Sequence, residues 1–172
     1  MREILRFAWG ISSLGDFMVA TSDEGIVALE FSSNRSAAVD ALRARFPGAD
    51  VINCQQDLID FLGKMTRVIE EPGSDPGIPL DLRGTPYEVQ VWSMLRSIPV
   101  GDTTNYGALA AKLGTRDARE VTEAIGSNPI AVLVPCHRVI KKDGSISGYR
   151  WGVKRKRELL KREQRPDTFQ LV

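Results

Sequence analysis

The sequence has few of the residues that build metal sites and disulfide frameworks. Its 172 residues include one histidine, His137, and two cysteines, Cys54 and Cys136. Two cysteines cannot make a disulfide framework, and no CxxC or HxxxH spacing supports a zinc site. We therefore expect no metal site, and we expect a reducing compartment, the cytoplasm.

Long apolar runs are also missing. No segment approaches the roughly 20 apolar residues of a membrane-spanning helix. The start of the chain lacks the apolar run and the cleavage site of a signal peptide. We therefore expect no membrane partner. The apolar fraction of 42% and the charged fraction of 26% are typical of a globular protein and exclude wholesale disorder.

An excess of one charge is absent overall, since the formal net charge is +1. That total argues against a strongly basic nucleic-acid binder, but it hides an asymmetry. Residues 1–80 carry a net charge of −5, whereas residues 136–165 carry +8. A basic segment of this kind suggests an anionic partner.

Apolar runs and turn residues predict a small α+β lobe in the first part of the chain. Three apolar runs separated by glycine-containing turns predict an antiparallel meander of strands at residues 5–11, 17–21 and 26–31. Apolar residues at helical spacing, followed by Pro-Gly pairs, predict helices at residues 37–46 and 58–69.

A segment rich in proline and glycine, residues 72–84, predicts the boundary between two lobes. Residues 1–84 then form an N-terminal scaffold lobe, to whose sheet residues 78–82 could add a strand. Residues 85–172 form a C-terminal lobe that carries the reactive groups. An apolar run at residues 130–134 is strand-like.

The second lobe opens with a strong helix-start signal. Thr85 can cap a helix, Pro86 suits its first position, and Glu88 completes a capping box. Further on, Asn105 caps one short helix and Asp117 begins another after a glycine-containing turn. Two helices joined in this way are a helix-turn-helix candidate, although such hairpins also occur as simple packing units.

Cys136 and His137 are adjacent, and such a pair can support nucleophilic chemistry. A thiol reacts as its thiolate, and an imidazole can take the proton. Because the free thiol has a pKa of about 8.5, it needs this help near neutral pH. The alternative is an inert buried thiol with a chance neighbour. The helical hairpin and a basic helix predicted at residues 154–163 favour chemistry on a nucleic acid.

The segment around Cys136 resembles the active-site signature of the O6-alkylguanine-DNA alkyltransferases, a family of suicide DNA-repair proteins. The signature is the run Val134-Pro135-Cys136-His137-Arg138-Val139-Ile140. The resemblance continues through residues 80–85, 90–92 and 98–103, Tyr106, and residues 128–129, 147–152 and 159–163. Residues 148–152, Gly-Tyr-Arg-Trp-Gly, are most similar to the Ada branch of the family.

The resemblance implies an α+β fold with a ribonuclease H-like N-terminal lobe. The C-terminal lobe would be a mostly helical winged-helix or helix-turn-helix unit. The implied activity is a methyltransferase reaction on double-stranded DNA. An alkyl group on O6 of guanine, or on O4 of thymine, moves irreversibly to Cys136, and each molecule reacts once. The resemblance also implies a monomer that works without a cofactor.

Roles for individual residues follow from the same resemblance. Cys136 would accept the alkyl group, and His137 would act as its base through a water molecule. Glu163 would hold the imidazole of His137. Tyr106 would donate a proton or hydrogen bond to N3 of guanine, and Asn128 would tie the helix-turn-helix to the reactive turn.

Further residues are implied to bind the base and the DNA. Val139 and Tyr149 would line the guanine pocket. The target nucleotide must leave the stack to react, and Arg119 would fill the space that it vacates. Tyr87, at a helix N-terminus, and Lys142 would hold phosphates.

Each of these residues also has a simpler interpretation. Glu163 could be a solvated acid in a basic run, and Arg119 could pair on the surface with Glu123. Tyr106 and Tyr149 could be half-buried packing residues. Asn128, which precedes a proline, could simply form a turn.

Two carboxylates depart from the family pattern. Glu120 and Glu123 follow Arg119 on the predicted recognition helix, where the family has small residues. They should weaken DNA binding, because phosphates repel carboxylates. Two other functions stay open: a relative that binds lesions without repairing them, and a helix-turn-helix regulator with a reactive cysteine.

Overall fold

A computed structural model describes residues 2–74, 77–114, 117–146 and 148–164. Thr115 and Arg116, in the predicted helix-turn-helix turn, and Ser147, in the glycine-rich motif, lie outside the described residues. The fold is α+β, as the sequence predicted. None of the described helices is both long and apolar enough to cross a membrane.

The chain folds into two units. Unit 1 comprises Met1–Glu70, Ser74–Arg83 and Pro129–Ala131. Unit 2 comprises Glu71–Gly73, Gly84–Asn128 and Val132–Val172. The chain thus returns to unit 1 for three residues shortly before the Cys-His pair.

Unit 1 contains a four-stranded sheet with the order β3-β2-β1-β4. The predicted antiparallel meander is present as β1 (Glu3–Ser12), β2 (Gly15–Thr21) and β3 (Ile26–Phe31). The sequence patterns do not predict β4 (Ala49–Asn53), which pairs with β1 in parallel, so the sheet is mixed and not purely antiparallel. Only Val51 of this strand is buried, and it therefore lacks a recognisable apolar run.

The two predicted helices of unit 1 are α1 (Arg35–Arg45) and α2 (Ile59–Glu70). α1 starts at Asn34, whose side chain accepts a hydrogen bond from the backbone of Ala37 at 3.0 Å. The buried core that α1 shares with β1, β2, β3 and β4 consists of Leu5, Phe7, Trp9, Met18, Ala20, Val27, Ala28, Ala38, Leu42 and Val51.

Two further segments pair with the edge strand β3. Leu80 forms a parallel bridge with Ile26, and Ile130 forms one with Leu29. The predicted addition to the sheet near Leu80 is therefore one bridge long. The strand predicted at residues 130–134 is wrong beyond Ile130, because the chain turns there and its apolar residues are buried in the turn.

Unit 2 is mostly helical. It contains α3 (Pro86–Leu95), α4 (Tyr106–Leu113), α5 (Ala118–Gly126) and α6 (Val153–Arg162), with a short parallel pair, β5 (Thr104–Asn105) and β6 (Val139–Ile140). The predicted capping box is confirmed, because Thr85 and Glu88 exchange side chain–backbone hydrogen bonds of 2.9 and 3.1 Å.

Caps and one tryptophan set the helix arrangement in unit 2. Asn105 caps α4, and Gly114 ends it in the left-handed region with a φ of 72°. Asp117 caps α5. The indole nitrogen of Trp92 on α3 donates to the carbonyl oxygen of Ala124 on α5 at 2.7 Å. α6 packs against the turn that contains Cys136.

Gly25 lies where the backbone of Pro79 passes the β2–β3 turn, and it yields a test of the unit 1 fold. Its φ is 154°, and a Cβ there would lie 2.3 Å from the Pro79 carbonyl oxygen. We expect Gly25→Ala to lower the free energy of unfolding by about 2–3 kcal/mol, because backbone strain and overpacking each cost about 1–3 kcal/mol. Chemical denaturation measures the change.

Gly48→Ala is the matched control, since nothing lies within 4 Å of the added Cβ. Its unfolding free energy should change by less than about 0.5 kcal/mol. Equal effects of the two substitutions would contradict the close approach at Gly25.

Candidate active site

One short turn carries the reactive pair. Cys136, His137 and Arg138 form a single 3-10 turn after Pro135, and all three are buried. Val132, just before this turn, has a φ of 67°, which is rare for a β-branched residue. The backbone that presents Cys136 is therefore strained and held in place by its surroundings.

His137 and Glu163 meet in the interior of unit 2. Glu163 directly follows α6, and both of its carboxylate oxygens lie 3.0 Å from Nε2 of His137. The two side chains are 0% and 2% exposed. Glu163 is thus not a solvated acid in a basic run, although its neighbours in the sequence are charged.

This contact determines which nitrogen of His137 can act as a base. Burial lowers the pKa of His137, so the imidazole is neutral near pH 7. Its one proton sits on Nε2, where the carboxylate of Glu163 accepts the hydrogen bond. Nδ1 is then unprotonated, and it is buried without a hydrogen-bond partner among the described residues. The arrangement leaves Nδ1 able to take a proton.

Glu163 stays ionised because two donors hold it. Burial opposes the charge, but hydrogen bonds from His137 and Arg138 outweigh it and lower the pKa of Glu163. Nε of Arg138 lies 2.8 and 3.0 Å from the two carboxylate oxygens. The carboxylate that orients His137 is therefore itself held in one orientation.

The resting thiol of Cys136 is protonated at neutral pH. Burial raises its pKa to about 11, against the opposing effects of a hydrogen bond from Asn128 and the charges of Lys156 and Arg150. A thiol in this state needs a base to become a nucleophile. The neutral imidazole next to it in the chain is such a base.

Asn128 connects the end of α5 to the reactive segment. It is fully buried, and its Nδ2 donates to the carbonyl oxygen of Val134 at 2.8 Å. Its own backbone carbonyl accepts a hydrogen bond from Nη1 of Arg150 at 2.7 Å. Asn128 is therefore more than a turn residue, because it holds the backbone two residues before Cys136.

A cavity of about 430 Å³ in unit 2 opens beside Cys136. Its lining residues come from α4, α5, the 3-10 turn of Cys136 and the loop before α6: Tyr106, Thr122, Ile125, Gly126, Cys136, Lys141, Gly148, Tyr149 and Arg150. The structure thus brings Tyr106 and Tyr149 to the cavity that contains Cys136. The Tyr149 hydroxyl is buried without a hydrogen-bond partner among the described residues.

Val139, Lys142, Arg119 and Tyr87 do not line this cavity. Val139 is fully buried, and Lys142 is exposed. The side chain of Arg119 is 89% exposed, and its ion pair is with Asp117 at 3.4 Å. The Tyr87 hydroxyl is buried, and its pKa is raised by burial and by nearby carboxylates.

Two buried basic residues at this site, Arg138 and Lys156, were not among the site residues that the sequence predicted. Arg138 lies inside the signature run, and its position next to His137 could have identified it as a candidate site residue. Lys156 is 1% exposed, and its Nζ donates to the carbonyl oxygen of Val139 at 2.6 Å. Lys156 lies on the same helix face as Leu159 and Glu163, and this spacing could have predicted that Lys156 is buried while its neighbours in the sequence are not.

Comparisons with known proteins agree on one family. A family model described as the DNA-binding domain of 6-O-methylguanine DNA methyltransferase matches residues 86–165. An inducible methylated-DNA–protein-cysteine methyltransferase of Bacillus subtilis is 34% identical over 167 residues, covering 93% of this chain and 92% of that protein. The crystal structure of Mycobacterium tuberculosis OGT in complex with DNA superposes with a TM-score of 0.77 at 29% identity, covering 97% and 99%.

A longer relative contains a related region. The bifunctional transcriptional activator and DNA repair enzyme Ada of Escherichia coli is 39% identical over 162 residues, which is 92% of this chain. The match covers 45% of Ada, so this chain spans less than half the length of that relative.

The single histidine predicts how stability depends on pH. Burial lowers the pKa of His137 in the folded protein, whereas in the unfolded chain it is about 6.5. The unfolded state therefore binds more protons as the pH falls from 7 towards 5. The free energy of unfolding should fall by up to about 1.4 kcal/mol per pH unit in that window. Chemical denaturation across this range measures the slope.

His137→Gln is the control, because it removes the titrating group and should flatten the dependence between pH 5 and 7. The lowered pKa of Glu163 adds its own loss of stability only below its ordinary value of 4.5. An equal slope in the two proteins above pH 5 would show that His137 is not held neutral.

Proposed function

The chain belongs to the methylated-DNA–protein-cysteine methyltransferase family, and we propose that it repairs O6-alkylguanine in double-stranded DNA by moving the alkyl group to Cys136. The observation that carries this proposal is the buried His137–Glu163 contact next to a protonated thiol that lines a cavity. A buried nucleophile, a neutral base and an orienting carboxylate are the parts that such a transfer needs.

The proposed reaction is a single displacement. Nδ1 of His137 takes the proton from the thiol through a water molecule, and Glu163 stabilises the imidazolium that forms. The sulfur of Cys136 then bonds to the alkyl carbon, while the bond between that carbon and O6 breaks. Its electron pair leaves with guanine, and Tyr106 donates a proton towards N3.

The balance of this step requires no cofactor. His137 gains the proton of the thiol, and Tyr106 loses one to the departing guanine. Release of the imidazolium proton and reprotonation of Tyr106 through solvent close the balance. The product is a thioether at Cys136, which water does not reverse, so each molecule acts once. The same displacement would apply to O4-alkylthymine.

Several residues fit the task of presenting the base. A flipped guanine would enter the cavity between Tyr106 and Tyr149. Val139, which the resemblance assigns to the same pocket, is fully buried and does not line the cavity, so it would contact the base only if the pocket adjusts. The exposed Arg119 at the start of α5 would fill the gap in the duplex. Lys142 would hold a phosphate, and the N-terminus of α3 at Tyr87 would hold another.

The proposal extends to the organisation of the protein. Residues 1–84 serve as a scaffold with a ribonuclease H-like strand order, which the order β3-β2-β1-β4 and the parallel β4 support. Residues 85–172 form a winged-helix lobe that contacts DNA and carries Cys136.

The reaction also bears on oligomeric state and location. One thiol and one flipped base complete the reaction, so we expect a monomer. A thiol that must stay reduced fits the cytoplasm.

Mass spectrometry tests the transfer directly. After incubation with a duplex that contains O6-methylguanine, we expect one added methyl group per chain, mapped to the peptide that contains Cys136. Cys136→Ala should abolish the adduct while the folded variant still binds the duplex. Cys54→Ser is the matched control and should leave the adduct unchanged.

Other outcomes distinguish the competing functions. A folded protein that binds the lesion but gains no methyl group would be a non-repairing lesion binder. Sequence-specific duplex binding that ignores the lesion would indicate a regulator. Either result would overturn the proposed transfer.

The acidic residues of α5 give a second prediction for this function. Glu120 is exposed and directly follows Arg119, so it faces the phosphates in the proposed complex. Glu120→Gln should tighten duplex binding by roughly two- to tenfold at low salt, because it removes a repulsive charge without changing shape. Fluorescence anisotropy over a salt series measures the affinity.

Glu24→Gln removes the same charge from an exposed turn of unit 1 and should have no such effect. If both variants bind like the parent protein at every salt concentration, the carboxylate at Glu120 does not oppose DNA binding.

A further inference from the structure

We propose that Arg138 is a positioning residue for the transfer reaction, because it fixes the carboxylate of Glu163 and thereby the ring orientation and tautomer of His137. The inference rests on the proposed function and extends the reactive set from three residues to four. It gives a chemical task to the arginine that follows the Cys-His pair.

The geometry of the guanidinium supports this role. Nε of Arg138 lies 2.8 and 3.0 Å from the two oxygens of Glu163, so one donor spans the carboxylate. At its other end, Nη1 donates to the carbonyl oxygen of Ile98 at 2.6 Å. The side chain of Arg138 is 9% exposed. Contacts at both ends keep the guanidinium from turning away from Glu163.

The chemistry of the carboxylate explains why this matters for the base. An ionised Glu163 can only accept hydrogen bonds, so His137 must present Nε2–H to it and leave Nδ1 unprotonated. A protonated Glu163 could donate to Nε2 instead, and the imidazole proton could then sit on Nδ1. In that tautomer His137 could not take a proton from Cys136.

Arg138 supplies the charge that prevents this change. Burial alone favours the neutral acid, and the hydrogen bonds of His137 and Arg138 oppose it. His137 is itself neutral, so Arg138 provides the positive charge of this contact. The other buried cation beside the site, Lys156, donates to the carbonyl oxygens of Val139 and Gly148.

A bystander role is the competing explanation. Buried ion pairs often contribute only to structure, and removing one partner destabilises many proteins. A purely structural Arg138 would change stability without changing the tautomer of His137. The test therefore needs a readout of the imidazole itself.

Nuclear magnetic resonance provides that readout without DNA. His137 is the only histidine, so the ring nitrogens of one imidazole give the entire histidine signal. In the parent protein we expect the neutral tautomer with the proton on Nε2. In Arg138→Met we expect signal from the Nδ1–H tautomer, and in Arg138→Lys, which keeps the charge but loses the planar fork, a smaller change.

Single-turnover methyl transfer provides the second readout. Arg138→Met should slow the transfer at least about tenfold, since a positioned general base contributes roughly 10²–10⁴-fold. Arg138→Lys should restore part of the rate. Arg162→Met is the matched control, because Arg162 pairs with Glu158 on the same helix and should leave rate and tautomer unchanged.

A double-mutant cycle shows whether Arg138 acts through Glu163. In a Glu163→Gln background, Arg138→Met should slow methyl transfer by less than about twofold, because the carboxylate that Arg138 positions is already gone. An equal loss in both backgrounds would overturn the proposal, and so would an unchanged tautomer in Arg138→Met. If Arg138→Met does not fold, Arg138→Lys carries the same comparison.

The outcomes also separate this inference from the proposed function. A parent protein that transfers no methyl group would contradict the function, while the resonances would still report on Arg138. A parent protein that transfers normally, together with an Arg138→Met variant that matches it in rate and tautomer, would overturn only the positioning role.

Discussion

A buried negative charge, the carboxylate of Glu163, is the group on which the reactive segment depends. An isolated buried carboxylate is costly, and breaking a buried pair typically costs about 3–5 kcal/mol. His137 and Arg138 supply the compensating hydrogen bonds from one turn, while Glu163 comes from the end of α6. The charge can be buried only when α6 docks on that turn, so helix packing and assembly of the site are one event.

The second constraint lies in the backbone before Cys136. Val132 adopts a left-handed conformation that costs a β-branched residue about 1–3 kcal/mol. The neighbouring residues hold it there, because Asn128 binds the carbonyl oxygen of Val134 and Leu29 pairs with the backbone next to Ile130. A strained segment with fixed ends keeps the thiol at one place in the cavity wall. Rigid placement of this kind is what a single displacement on a bound base requires.

Much of the fold was readable from local signals. The strands β1, β2 and β3 and the helices α1 to α6 follow from apolar periodicity, from caps such as Thr85 and Asn105, and from glycine and proline at the ends. β4 was missed because pairing with β1 stabilises it, while its own side chains are mostly exposed. The apolar run after Pro129 was read as a strand, although a buried turn hides apolar residues equally well.

The sequence by itself determined most of the secondary elements, the adjacency of Cys136 and His137, and the family that this signature resembles. The resemblance also implied Glu163 as the partner of His137, but only the tertiary structure showed that this carboxylate is buried and that Arg138 holds it as well. The chain has 22 acidic residues, and the packing of α6 selects Glu163, which is 26 positions away from His137. Arg138 and Lys156 are buried, whereas Lys154, Arg157 and Lys161 are exposed. A charge acquires its function from burial and from partners distant in the chain. Helical spacing can indicate burial, as at Lys156, but local sequence does not encode the distant partners.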